Sequence, residues 1–279
     1  MSDSMNQGPL IIKLSGGVID SPDKLKELCK AIAHLHHTLP QGIVIVHGGG
    51  AAVDQQLERL GLESERTDGI RITPKEHIQE IVGVLAGRVN KKLVGQLQLC
   101  GANAVGLCLG DGSLAKTTKI AYIDKDLGCV GEVSGGNPLL IETLLNAGFL
   151  PVLASIGLDE NGQFLNVNAD TAAAGIANVI NACGLVFLTD TQGVLDTHGN
   201  TITNLCPSEI ENKIQTGEIK GGMAAKVRSA AIASATTNMP VTIASFNDSD
   251  ALKTLGTNYL IGTQIMPSPT ATNSNVQDI

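Results

Sequence analysis

Residues 42–60 read GIVIVHGGGAAVDQQLERL, and the fold is decided here. Ile43 to Val46 form a short, β-branched, wholly apolar run that suits a strand buried on both faces of a parallel sheet. Gly48, Gly49 and Gly50 follow at once, and Val53, Leu57 and Leu60 then recur at helical spacing. The chain therefore passes from strand through a glycine turn into an amphipathic helix. Such a turn aims free backbone N–H groups, and the positive end of the helix dipole, at whatever sits above the strand end. A phosphate or a carboxylate fits there. An ordinary βα turn would use the same glycines wherever φ is positive or backbones run close.

Composition narrows the classes. A chain of 279 residues can be one large domain or two modest ones, and 43% apolar residues suffice for a proper core. Mean hydropathy is +0.15. Aromatics make up 2%, with no Trp, and the net charge is −8, so neither stacking platforms nor a basic surface is offered to nucleic acid. Any anion must be held locally. Cys29, Cys100, Cys108, Cys129, Cys183 and Cys206 show no CxxC pair or metal-ligand spacing, which predicts free buried thiols in a reducing compartment. The polar first nine residues lack the pattern of a signal peptide. The apolar stretch 171–188 is interrupted by Asn178, Asn181 and two glycines, so a small-residue helix followed by a buried strand explains it better than a membrane span. A soluble, cytoplasmic protein is expected.

In chain order, PLIIKL at 9–14 reads as a first buried strand ending in Ser15-Gly16-Gly17. Lys13 stands inside it, and a lysine in a core strand is costly unless its charge meets an anion. The alternative is a lysine snorkelling from an edge strand. A helix over 21–39 has Ser21 as N-cap and Pro22 first. RTDGIRITP at 66–74 is a glycine turn leading into a short strand that carries Arg71, whose planar fork suits a carboxylate. Pro74 opens a helix to about residue 100, with Ile78, Ile81, Val82, Leu85, Val89, Leu93 and Leu97 at helical intervals. A strand over 104–109 and a turn-rich hairpin region over 113–137 follow.

A helix over 139–147, a strand over 150–155 and a hairpin turn at 159–162 lead to FLNVNAD at 164–170. Alternation there puts Asn166, Asn168 and Asp170 on one face of an extended segment. Asp170 also precedes a helix over 171–181 and can be read as its N-cap. A strand at 185–188 starts a second unit with the loop 189–196, a helix near 207–215, a glycine-rich loop 217–222 and a helix over 223–236. Lys226, in that helix's first turn, opposes the dipole and needs a compensating anion. One more strand falls at 241–245. The Ser, Thr, Asn and Pro tail over 266–279 predicts disorder.

GxxxxGK[ST] does not occur, which excludes the P-loop, and Gly48-x-Gly50-x-x-Val53 only approaches the dinucleotide fingerprint. Taken together, IIKLSGG, IVHGGG, DGIRITP, LNVNAD, LTDTQGVLD, GGMAAKV and IGTQI resemble the amino acid kinase superfamily, and within it the N-acetylglutamate kinase family, over nearly the whole chain. The resemblance implies an α/β fold, an open αβα sandwich with a mainly parallel central sheet in two lobes. Residues 1–178 would bind acetylglutamate and dimerise, and residues 179–279 would bind MgATP. It implies transfer of the γ-phosphoryl group to the side-chain carboxylate of acetylglutamate, in arginine biosynthesis. Acetylaminoadipate kinase, uridylate kinase (suggested by serine at position 15) and a non-catalytic nucleotide sensor are the other readings.

Carried over motif by motif, the resemblance makes Lys13 and Lys226 neutralise the transferring group, with Asp170 holding both ammonium heads. Gly16, Gly48 and Gly49 would donate N–H groups to phosphoryl and carboxylate oxygens. Arg71 and Asn166 would bind the α-carboxylate, with Asn168 beside them. Asp190, Gly193, Leu195, Gly222 and Met223 would join Lys13, Gly16 and Lys226 at the nucleotide. Magnesium would ride on the nucleotide phosphates with few protein ligands. Family members inhibited by arginine carry an extra N-terminal helix that links dimers into a hexamer. Only Met1 to Gly8 precede the first strand here, so a homodimer insensitive to arginine is expected, joined across the long helix after Pro74.

Overall fold

The computed structural model describes residues 8–67, 69–120, 125–255 and 261–267. The readings of residues 1–7 and of the tail beyond residue 267 lie outside the described residues.

The first half begins β1 (Leu10–Leu14), α1 (Gly16–Ile19), α2 (Pro22–Thr38), β2 (Ile43–His47) and α3 (Gly50–Arg59). A small hairpin, β3 (Arg66–Thr67) and β4 (Ile70–Arg71), follows. Next comes one long helical run, α4 (Ile78–Val82), a π-helical stretch Gly83–Val89 and α5 (Asn90–Leu99). The chain continues through β5 (Ala104–Cys108), β6 (Ala115–Lys119), β7 (Val130–Gly136), α6 (Leu139–Asn146), β8 (Leu150–Ala154), β9 (Ile156–Leu158), β10 (Phe164–Val167) and α7 (Ala169–Val179). The second half holds β11 (Gly184–Thr189), β12 (Asn204–Leu205), α8 (Pro207–Gln215), α9 (Gly221–Thr237), β13 (Val241–Ser245), α10 (Ser249–Leu252) and β14 (Thr263–Ile265).

Eight strands form one sheet in the order β12-β14-β13-β11-β1-β2-β8-β5. The six from β13 to β5 are parallel, and β14 runs antiparallel to β13. Alternation along the central strands divides the core between two faces. Leu10, Ile12 and Leu14 of β1, Ile43 and Ile45 of β2, and Val186 and Leu188 of β11 pack with α2, α3 and α5. Ile11, Val44, Val46, Leu185 and Phe187 pack on the opposite face with α7, α8 and α9. A strand apolar at every position is the signature of a sheet covered on both sides, and here it builds the expected αβα sandwich. Because β1 pairs with β2 on one side and β11 on the other, Lys13 belongs to the middle of the sheet, which disposes of the edge-strand reading.

Parallel strands end at a common edge, where ligands of open α/β sheets bind. Leu14, His47, Ala154, Thr189 and Ser245 are the last residues of β1, β2, β8, β11 and β13. A second sheet, ordered β6-β7-β10-β9, brings β10 and the start of α7 over that edge.

Several expectations need correction. The helix after Gly49 ends at Arg59, and Leu60 is half-exposed beyond it. Ser21 stands at the α2 N-cap position, yet its hydroxyl makes no capping bond. The long helix starts at Ile78, not Pro74. Of its seven quoted apolar positions only Val82 is not buried within the chain, while Leu99 at its end is exposed. Cys183 and Cys206 are exposed, though all six thiols are free. No described helix is long and apolar enough to cross a membrane.

Candidate active site

One cleft at the carboxyl edge of the sheet, of about 220 Å³, is lined by Lys13, Gly16, Gly48, Gly49, Arg71, Asn166, Asn168 and Asp170. Eight separate expectations from four segments thus meet in one place. Lys13 reaches the strand end and pairs with Asp170, Nζ to Oδ1 at 2.6 Å. Its ammonium also lies 5.6 Å from the Phe187 ring centroid, a cation–π distance. Both partners are mostly buried, a setting in which breaking the pair leaves an uncompensated charge.

The two glycine turns face each other. A Cβ on Gly16 would stand 3.5 Å from Gly49 Cα, and one on Gly48 would stand 3.2 Å from the Ala169 side chain. At Gly49 a Cβ would meet Leu85 Cδ2 at 2.8 Å, so a side chain there would require Leu85 of the π-helical stretch to shift. Ser15 serves the framework, because its hydroxyl donates to the Leu188 carbonyl at 2.7 Å and so ties the end of β1 to the end of β11.

Asn166, Asn168 and Asp170 share the cleft wall, but not as one extended face: β10 ends at Val167 and Asp170 stands in the first turn of α7, so the three have different local duties. Asn168 is the N-cap of α7, its Oδ1 accepting from the backbone N–H groups of Asp170 and Thr171. Asp170 is therefore not the cap and keeps its carboxylate for Lys13. Asn166 donates to Thr73 Oγ1 at 3.0 Å.

Arg71 is buried and held by three partners: Asp54 Oδ1 at 2.5 Å, Ser64 Oγ, and the Gly50 carbonyl at 3.0 Å. Asp54 also accepts from Arg66 at 2.6 Å. Burial pushes the Asp54 carboxyl up, but hydrogen bonds from Arg71, Arg66 and Ser64 outweigh it and hold it well below the usual carboxylate range. Arg66 lines the same cleft. Asp54, Ser64 and Arg66 went unpredicted. Arg66 stood in a quoted motif, and Asp54 follows Val53 on the polar side of α3, where a solvated helix face looks the same.

Lys226 is placed differently from expectation. It sits in the second turn of α9 and pairs with Asp190 Oδ1 at 2.7 Å and with Thr189 Oγ1, not with Asp170. The reason is where α9 meets the end of β11. Thr189 ends β11 and Asp190 follows it, and these are the acceptors that Lys226 reaches. Lys226 and Thr189 hold the Asp190 carboxyl down at about 2. Of the remaining nucleotide candidates, Gly193 packs against Thr263 and Thr201, Leu195 is exposed, and Gly222 and Met223 lie in the first turn of α9. None of these lines the cleft; they lie beyond β11, on the side of Lys226.

Among the described residues no three His, Cys, Asp or Glu side chains converge as a metal site. The cleft's donor set is Lys13, Arg66 and Arg71, amides and glycine-turn N–H groups, which suits anions, while Lys226 and Asp190 stand outside its lining.

The sequence profile of the amino acid kinase family matches residues 8–245. An acetylglutamate kinase of Vibrio campbellii is 42% identical, covering 94% of this chain and 98% of its own. One of Proteus mirabilis is 42% identical, covering 92% and 99%. Among solved structures, a Streptococcus mutans protein superposes with TM-score 0.71 at 29% identity, covering 92% of this chain and 98% of its own. N-acetylglutamate synthase of Neisseria gonorrhoeae, solved with coenzyme A and N-acetyl-glutamate, superposes with TM-score 0.78 at 21% identity, covering 94% and 60%, and so shares the fold. The glycine turns, paired lysines and sandwich thus coincide with near-full-length likeness: the chain belongs to the amino acid kinase family and, within it, to the acetylglutamate kinases.

Proposed function

We propose that this protein transfers the γ-phosphoryl group of ATP to the side-chain carboxylate of N-acetyl-L-glutamate, the phosphorylation step of arginine biosynthesis through acetylated intermediates. The observation that carries this reading is the cleft itself. An ammonium–carboxylate pair and two glycine turns stand at one end, and a buried guanidinium with two asparagines lines the same wall. Curated relatives of that activity align over nearly the full length. A bond forms between a carboxylate oxygen and the γ-phosphorus as the bond to the β-phosphate oxygen breaks, and ADP leaves with that electron pair. Phosphoryl transfer asks a protein chiefly for positioning and charge stabilisation. No general base is needed, because a carboxylate is already a nucleophile at neutral pH.

In this reading Lys13 and Lys226 offset charge on the transferring group, Lys13 steadied by Asp170 and Lys226 by Asp190 and Thr189. Gly16, Gly48 and Gly49 supply backbone N–H donors. Arg71 and Asn166 take the α-carboxylate, and Asn168 orients the wall on which Asp170 stands. Residues 1–178 form the acceptor lobe and 179–279 the nucleotide lobe, where Gly193, Leu195, Gly222 and Met223 flank the bound ATP. Magnesium comes with the nucleotide, its ligands being phosphate oxygens and water.

A cytoplasmic homodimer completes the proposal. Free thiols support the reducing compartment. Strand β5 supports the dimer: it ends the sheet, and its Val105 and Leu107 are only half-buried, an edge that invites pairing. The test of function is ADP release with acetylglutamate, acetylaminoadipate, glutamate and UMP as acceptors. Acetylglutamate should give the highest kcat/KM; preference for any other acceptor reassigns the cleft.

A further inference from the structure

His47 ends β2 and is wholly buried, and Asn90, on which the π-helical stretch ends, is almost as deep. The imidazole is engaged at both nitrogens. Nδ1 lies 2.9 Å from the Gly48 carbonyl oxygen, and Nε2 lies 3.0 Å from Asn90 Nδ2. The Asn90 amide is itself oriented from two sides: Nδ2 donates to the Val152 carbonyl at 3.0 Å, and Oδ1 accepts from Lys91 Nζ at 3.2 Å. An amide nitrogen donates and a carbonyl oxygen accepts. Nε2 is therefore the acceptor of Asn90, and Nδ1 carries the proton that Gly48 accepts. Burial favours the neutral ring and holds its pKa down at about 4.

This bond fixes more than the histidine. The Gly48–Gly49 peptide is trans, so the Gly48 carbonyl and the Gly49 N–H point in opposite directions. With the carbonyl drawn to the His47 ring, the Gly49 N–H faces away from it. That N–H has no protein acceptor among the described residues, and Gly48, Gly49 and Gly50 all line the cleft. Leu85 and Val89 of the π-helical stretch close on Gly49 from another side, 2.8 and 3.2 Å from where a Cβ would stand. π-Helical turns recur at functional sites, and here the turn brings an amide and two apolar side chains to bear on one peptide.

We propose that His47 and Asn90 are positioning residues that lock the Gly48–Gly49 peptide, so that the Gly49 N–H stays presented to the anionic oxygens of the reaction. This rests on the kinase reading for what the N–H stabilises. Two glycines in succession can reorient the peptide between them freely, and a donor that must be reoriented loses the benefit of preorganisation.

The test combines a spectroscopic and a kinetic readout. Nitrogen-15 NMR of His47 in the wild-type protein should show the neutral Nδ1–H tautomer, unchanged between pH 6 and 8. An Nε2–H tautomer would overturn the proposal whether or not the protein phosphorylates acetylglutamate. Asn90→Ala and His47→Leu should each lower kcat by about 10-fold or more with the KM for ATP within about 2-fold, as expected for losing preorganisation at a transition-state donor. His47→Asn, which keeps an amide donor near the Nδ1 position, should recover most of that loss. Wild-type kcat in folded Asn90→Ala, or equal losses in His47→Asn and His47→Leu, would contradict it. Should His47→Leu fail to fold, the wild-type tautomer and Asn90→Ala decide. A wild-type enzyme inactive on acetylglutamate but showing the Nδ1–H tautomer would instead refute the kinase reading and leave the brace standing.

Discussion

Lys13, near the end of the central strand β1, and Asp170, in the first turn of α7, meet at 2.6 Å with both side chains largely removed from water. A charge placed there is retained because its partner is delivered by another element, the capped start of α7. Lys226 has its own carboxylate in Asp190, so the two lysines are held independently. Lys13→Ala and Lys226→Ala are each expected to lower kcat by at least about 100-fold, since each removes a charge acting on the transition state. Steady-state kinetics check this, and near wild-type turnover in either variant removes that lysine from the chemistry. Asp170→Asn should impair catalysis without disturbing the Lys226–Asp190 pair.

Arg71 is expected to act on acceptor binding. Arg71→Ala should raise the KM for acetylglutamate by the equivalent of about 1.5–3 kcal/mol, the scale of a lost charge-assisted hydrogen bond, and leave the KM for ATP alone. Arg71→Lys should not restore it, because an ammonium cannot span Asp54, Ser64 and the Gly50 carbonyl as the guanidinium does. A shift confined to the ATP KM would move Arg71 to the nucleotide side.

The buried His47 makes stability depend on pH in a defined window. Its folded pKa, about 4, lies below the ordinary histidine value of 6.5, so between these values the unfolded chain binds the extra proton. The His47 contribution is therefore fully present above about pH 6.5 and is lost as pH falls toward 4, by roughly 3 kcal/mol at full span. Lys91 is the charged neighbour that also disfavours the imidazolium. Asp54 and Asp190, whose carboxyls are depressed below 3.8, lose their contributions only at lower pH. Urea unfolding at pH 7 and pH 4.5 should show a larger stability loss in the wild type than in His47→Asn. Equal losses would contradict the assignment.

At Gly49, where φ is 171°, a side chain is opposed by space alone, because a Cβ would press on Leu85 and Val89. Gly49→Ala should lower kcat by displacing the turn, and adding Leu85→Ala should recover part of the loss by vacating the position 2.8 Å from the new Cβ. No recovery in the double variant would place the defect elsewhere.

The fold was legible because β1, β2 and β11 are apolar at nearly every position, which only a sheet buried on both faces explains, and because glycines punctuate their ends. Period-2 alternation picked out Asn166, Asn168 and Asp170, but only Asn166 lies on the strand; Asn168 caps α7 and Asp170 stands in its first turn. What periodicity cannot report is which partner a charged side chain reaches across the fold. Lys226 pairing with Asp190 depends on α9 meeting the end of β11, and Asp54 gathering two arginines depends on the β3–β4 hairpin folding back on α3. The π-helical stretch was also hidden, since seven widened residues leave the apolar spacing close to that of an α-helix. His47 falls between the apolar run 43–46 and the glycines and drew no reading, and only the approach of Asn90 gives its ring a role.

The central claim is a phosphoryl group moved onto a side-chain carboxylate, and phosphorus-31 NMR of the reaction with ATP, magnesium and acetylglutamate observes that product directly. An acyl phosphate resonance should grow in step with ADP, and hydroxylamine should convert it to a hydroxamate. ADP accompanied only by free phosphate, or no ADP until UMP replaces acetylglutamate, would contradict the account.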